Sequence, residues 1–230
     1  MIPLKDDNPT LTTPFVTVGL VILNVAAFLY QMSLPEQARV EMIMRLGVIP
    51  AAFTTDQSVH AGVPLPLTLF TSMFLHGGWM HLLGNMLYLW IFGNNIEDVV
   101  GHIGFVLFYL LCGLAAVGTQ IAAGPDSSLP MIGASGAIAG VLGAYMLLFP
   151  RARVLTIVPI FIFIRMMYLP AFILLGLWFV YQILLSGAED PIGGGVAFFA
   201  HIGGFVAGML LIWVFRKTPR PRAQWDGRLT

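Results

Sequence analysis

The chain has 230 residues, 58% hydrophobic and 10% charged, and its 11 basic residues balance its 11 acidic ones. A typical soluble domain is about 25% charged and 45–50% apolar, so this is the composition of an integral membrane protein, and the lack of a net basic field excludes a nucleic-acid binder. The single cysteine, Cys112, excludes an intramolecular disulfide and reads as an apolar packing residue, while no Cys/His cluster or Gly-x-Gly-x-x-Gly turn points to a metal or dinucleotide.

A hydrocarbon core of about 30 Å needs roughly 20 apolar residues per helix. Six segments answer to that, at about 14–34, 66–93, 99–123, 131–149, 168–186 and 193–215. The expected fold is all-α: a bundle of six transmembrane helices forming one domain over residues 1–230, with a basic tail at 216–230. Asp6 and Asp7 before the first span, and its length, favour a retained helix over a signal peptide. The connection from Pro35 to Leu65 mixes Met42, Ile43 and Met44 with charges, and is expected to lie on the outer leaflet. Val154–Ile164 is apolar but short, carries Pro159 and is closed by Arg153 and Arg165, so it is expected to lie at the interface or re-enter, and not to span. Lys5, Arg151, Arg153, Arg165, Arg216, Lys217, Arg220, Arg222 and Arg228 share one side in this arrangement, against Arg39 and Arg45 on the other. The positive-inside rule then makes both termini cytoplasmic.

Polar groups inside a bilayer cost free energy unless satisfied, which makes each a candidate for function. Ser135 stands in Gly133-Ala134-Ser135-Gly136-Ala137 at the start of the fourth span, sixteen residues before Arg151, and His201 stands fifteen residues before Arg216. At about 1.5 Å per residue both lie roughly 22–24 Å from the same surface, a nucleophile level with a base. The second span adds His76, His81 and Asn85 in HGGWMHLLGN, the last two sharing a helical face. Gly133 and Gly136, with Gly204 and Gly208 after the histidine, permit the close helix approach that the pairing requires. The Ser135 amide, Asn85 and His81 supply donors for an oxyanion, so the set suits acyl transfer. The fourth and sixth spans hold no Asp or Glu, which permits a dyad and not a Ser-His-Asp triad.

In HGGWMHLLGN, GASGAIAG and AHIGGFVAG, in that order, the chain resembles the rhomboid family of intramembrane serine proteases over nearly its whole length. The resemblance implies Ser135 as nucleophile, His201 as general base and acid, and His81 with Asn85 as oxyanion donors beside the Ser135 amide. Glu97 and Gly101, in GNNIEDVVG, match a structural element of the family, and His76 a recurrent histidine of structural role. It further implies a minimal six-span, bacterial-type member of the inner membrane that needs no cofactor and cuts transmembrane protein substrates near the outer boundary. Two departures stand out. Ala139 replaces a tyrosine that in some members packs on the catalytic histidine, which leaves open what orients His201. Leu67-Thr68 replaces a Trp-Arg pair, so the external loop must be anchored by other means. The competing readings are an inactive relative that binds membrane proteins, disfavoured because both Ser135 and His201 are present, and a transporter, disfavoured because no span carries a midplane acid.

Overall fold

After Pro14 a charge-free, mostly apolar run forms α1 (Phe15–Ser33), which stops just before Pro35. The computed structural model describes residues 1–54, 63–160, 163–187 and 196–217. The connection that follows α1 holds α2 (Glu36–Leu46) and α3 (Pro50–Thr54). Glu36 in the first turn of α2 and Arg45 in the last complement its dipole. This segment is anchored by backbone: Val48 and Met131 exchange N–H···O bonds at 3.0 and 2.7 Å, and the Ala51 N–H reaches the Ser127 carbonyl at 3.0 Å. Thr71 Oγ1 adds a bond to the Leu46 carbonyl at 2.7 Å. These bonds hold the loop without the missing Trp-Arg pair.

The expected second span at 66–93 is not one helix. α4 (Leu65–Thr71) continues as a 3-10 turn to Phe74, the chain extends through Leu75, and α5 begins only at Trp79 and runs to Val100. Gly77 and Gly78 lower the cost of leaving the helix. Gln31 of α1 makes the break stable by pairing with the peptide of buried His76, donating to its carbonyl at 2.7 Å and accepting from its N–H at 3.3 Å. Gly101, at φ 78°, turns the chain from α5 into α6 (His102–Ala123).

α7 (Ser135–Leu148) is buried at every residue from Gly136 to Tyr145, as an all-round apolar helix should be, and packs against α5, α6, α8 (Ala171–Ser186) and α9 (Phe198–Phe215). α1, α6 and α9 are each long and apolar enough to cross a membrane, with α4, α7 and α8 as shorter apolar helices among the described residues. The protein is therefore a mostly helical integral membrane protein.

The expectation of an all-α fold needs correction. β1 (Ile2–Asp6), β2 (Arg153–Ile160) and β3 (Phe163–Pro170) form an antiparallel sheet in the order β1-β2-β3. The segment expected at the interface or re-entering is thus a hairpin. Its density of Val, Ile, Thr and Phe suits a pleated strand, a possibility that a search by helical span length does not register. β1 adds to the hairpin's base, where Asp7 accepts from the Arg153 backbone N–H at 2.7 Å and from its Nε at 2.9 Å. The start of the sixth expected span, 193–195, Glu189-Asp190 in the connection before it, and the tail from 218 lie outside the described residues.

Candidate active site

The site is made by the approach of two backbones. A Cβ on Gly204 would overlap the carbonyl of Gly136, one on Gly208 that of Gly140, and one on Gly143 that of Phe205. With hydrogen at these positions, α7 and α9 approach until their main chains touch. Ser135, first residue of α7, and His201, in the first turn of α9, then meet: Ser135 Oγ lies 2.8 Å from His201 Nε2.

Two neighbours fix the direction of that bond. On the far side of the ring His201 Nδ1 is 2.8 Å from Oε1 of Gln182, whose Nε2 in turn donates to the Trp178 carbonyl at 3.3 Å. An amide turned the other way would set its oxygen against a carbonyl, so Oε1 faces the histidine and Nδ1 carries the proton. Nε2 is then bare, and the Ser135 hydroxyl donates to it. His81 has the opposite tautomer. The Gly77 N–H donates to its Nδ1 at 3.3 Å, leaving the proton on Nε2.

His81 and Asn85 do not bond to Ser135. They line the same cavity of about 870 Å³, together with Ser135, Trp178 and His201. His81 Nε2 and Ser135 Oγ lie 2.7 and 3.7 Å from where a Gly133 Cβ would stand; with its φ of 126°, Gly133 has no room for a side chain and no conformational latitude for one. Asn85 is buried, and its Nδ2 has no partner among the described residues, a donor available to an incoming oxygen. The Ser135 N–H, at the start of α7, has no carbonyl partner within its helix.

The remaining candidates divide. His76 is fully buried under the edge of Phe28 and against His81, and does not line the cavity. Glu97 is remote from the cavity, twelve residues beyond Asn85 or about 18 Å along α5. It caps α1 from outside, accepting from the N–H groups of Val16 and Thr17 at 2.9 and 2.7 Å and from Thr17 Oγ1 at 2.6 Å, with His102 Nδ1 at 2.6 Å. Gln182 and Trp178 are the residues that sequence reasoning missed. A glutamine within an otherwise apolar span was the available signal, and Trp178, whose ring centroid is 5.7 Å from that of His201, carried none.

A membrane-embedded helical bundle with a serine–histidine pair set in a cavity is the class of protein that this architecture defines. The Rhomboid domain family matches residues 66–218, and the chain belongs to the rhomboid family. It is 30% identical over 167 residues to Rhomboid protein 1, mitochondrial, of Saccharomyces cerevisiae, covering 69% of this chain and 44% of that protein. RHOMBOID-like protein 1 of Arabidopsis thaliana is 35% identical over 153 residues, 66% of this chain and 35% of its own length. Rhomboid protease GluP of Bacillus subtilis is 42% identical over 78 residues, 34% of this chain and 15% of its own. The chain spans less than half the length of each of these three curated relatives. The family includes intramembrane serine proteases.

Proposed function

We propose that the protein is an intramembrane serine endopeptidase acting through a Ser135–His201 dyad. The observation that carries this reading is the 2.8 Å hydrogen bond between Ser135 Oγ and His201 Nε2. Ser135 Oγ attacks the scissile carbonyl carbon while its proton passes to Nε2, and Asn85 Nδ2, His81 Nε2–H and the Ser135 N–H meet the oxyanion. As the intermediate collapses, Nε2 gives that proton to the departing nitrogen. Water then attacks the acyl ester, losing a proton to Nε2, and the second collapse returns that proton to Ser135 Oγ and releases the product as a carboxylic acid, which ionises in water.

In this reading residues 1–230 form one membrane domain, α1 and α5 to α9 are its six spans, and both termini face the cytoplasm, supported by the clustering of basic residues on that side. The inner (cytoplasmic) membrane of a bacterium is the proposed setting, for which the 42% identical stretch shared with the Bacillus subtilis protein speaks over 78 residues and against which the mitochondrial relative matches over 167. α7, at 14 residues, is about 21 Å long against a core of about 30 Å, so a serine at its first residue lies beneath the surface. The cavity above it is bordered by Ser127, Leu129 and Pro130, which gives water a route from the external side. α5 and α8 both flank α7 yet scarcely touch each other, which suits lateral entry of a substrate helix between them.

The proposed substrates are single-span or other transmembrane proteins, cut near their outer boundary after a small residue. A membrane helix hides its carbonyls in its own hydrogen bonds, so cleavage requires local unwinding, which Gly or Pro eases by roughly 1–3 kcal/mol relative to Ala. The test is purified protein in liposomes with a single-span reporter. A product cut near the outer boundary, slowed when helix-weakening residues downstream become Leu, is expected; cleavage at the cytoplasmic end, or none, overturns the reading.

A further inference from the structure

A dyad inside a bilayer has an orientation problem. A neutral imidazole has two tautomers, and only the one with its proton on Nδ1 leaves Nε2 able to accept from serine. A buried carboxylate on Nδ1 solves this in water-soluble serine hydrolases, but an ionised acid within a membrane helix carries a desolvation cost of several kcal/mol. We infer that Gln182 is the positioning residue for His201, a neutral amide that fixes the Nδ1–H tautomer and aims Nε2 at Ser135. The inference rests on the protease reading and adds to it a residue from a helix that carries none of the family motifs.

Three observations support it. Gln182 is 4% exposed and sits one helical turn beyond Trp178, so both project from the same face of α8 toward His201. Its amide is held from both ends: Nε2 donates to the Trp178 carbonyl, which prevents the flip that would present a donor to Nδ1. Phe179 stacks on Phe205 at 4.3 Å, locking α8 against α9 one turn below the histidine. With Ala139 too small to pack against the ring, orientation passes to α8, through Gln182 at the ring edge and Trp178 beside it. During reaction the Ser135 proton moves to Nε2 and on to the leaving nitrogen, while Nδ1–H stays bonded to Oε1. The amide neither gains nor loses a proton.

The test joins ring-nitrogen NMR to kinetics in protein labelled with 15N-histidine, the His201 signals being assigned by their loss in His201→Gln. Wild-type His201 is expected to be protonated on Nδ1 and bare on Nε2. Gln182→Met, matched in size but lacking the acceptor, should shift protons toward Nε2 and lower kcat by roughly 10–100-fold with KM little changed, as for other ligand-orienting partners. Gln182→Glu restores an acceptor and should recover part of that kcat. A folded Gln182→Met protein with wild-type kcat and an Nδ1-protonated ring overturns the inference. So does a wild-type ring protonated on Nε2, a result that needs no variant to fold. If the wild type cuts no reporter the protease reading falls, and the ring spectra still decide the role of Gln182.

Discussion

Two buried polar residues of α5, Glu97 near its C-terminal end and Asn85 near its N-terminal end, are treated in opposite ways. At the C-terminal end Glu97 is 0% exposed and saturated, with two backbone N–H groups, a hydroxyl and a histidine nitrogen on its carboxylate. At the N-terminal end Asn85 is buried too, yet it lines the cavity and its Nδ2 has no partner among the described residues, while His81 also lines the cavity with its proton on Nε2. A buried donor left unpaired costs about 1–3 kcal/mol, so such groups persist where something other than stability selects them. The saturated Glu97 holds the start of α1 in place. In the proposed function, Asn85 and His81 are the groups that receive the oxyanion.

That contrast is open to attack by mutation, and the sharpest test comes first. Ser135→Ala or His201→Ala should lower reporter cleavage and fluorophosphonate labelling by about 10⁶-fold while leaving the melting curve in detergent nearly unchanged. Labelling of Ser135→Ala equal to that of the wild type would remove the chemistry from this end. Asn85→Ala should slow turnover by roughly 10² to 10³, about 3–4 kcal/mol, without loss of stability, since the donor it removes has no partner among the described residues. Full turnover in a folded Asn85→Ala protein would assign the oxyanion to other donors.

Glu97→Ala should do the reverse. It strips the cap from α1 and leaves its donors buried without acceptors, for a loss of about 2–3 kcal/mol in denaturant unfolding, while the folded fraction keeps its specific activity. Equal stability with lower activity would erase the division between the two ends.

The smallest effect concerns Asp6, at the base of the sheet, which accepts a hydrogen bond from the Tyr145 hydroxyl. Burial pushes its carboxyl up to about 6 from an ordinary 3.8, in spite of the opposing pull of that hydrogen bond. Between those values the folded state binds more protons than the unfolded one, so stability should fall as pH rises from about 4 to 6 and level off above. Melting temperatures across that range should show a shallow decline in the wild type and a flatter line in Asp6→Asn; identical slopes would remove Asp6 as the cause.

What the sequence determined by itself follows from local physics. Apolar length marks the long helices because a bilayer has a thickness, and Ser135 and His201 stand out because polar groups are costly there. Their nearly equal offsets from Arg151 and Arg216 already put them at about one depth, and the glycines of GASGAIAG and AHIGGFVAG announced a close approach. Only the tertiary structure decided where the apolar run at 66–93 breaks, because the break is held open by Gln31, 45 residues away from His76. It likewise decided that Val154–Ile160 lies in a sheet, since its pairing with Ile2–Asp6 spans most of the chain. It decided the partner of His201 Nδ1 as well: which turn of α8 faces α9 is set by side-chain packing between the two helices, and the apolar pattern of either helix alone does not contain it.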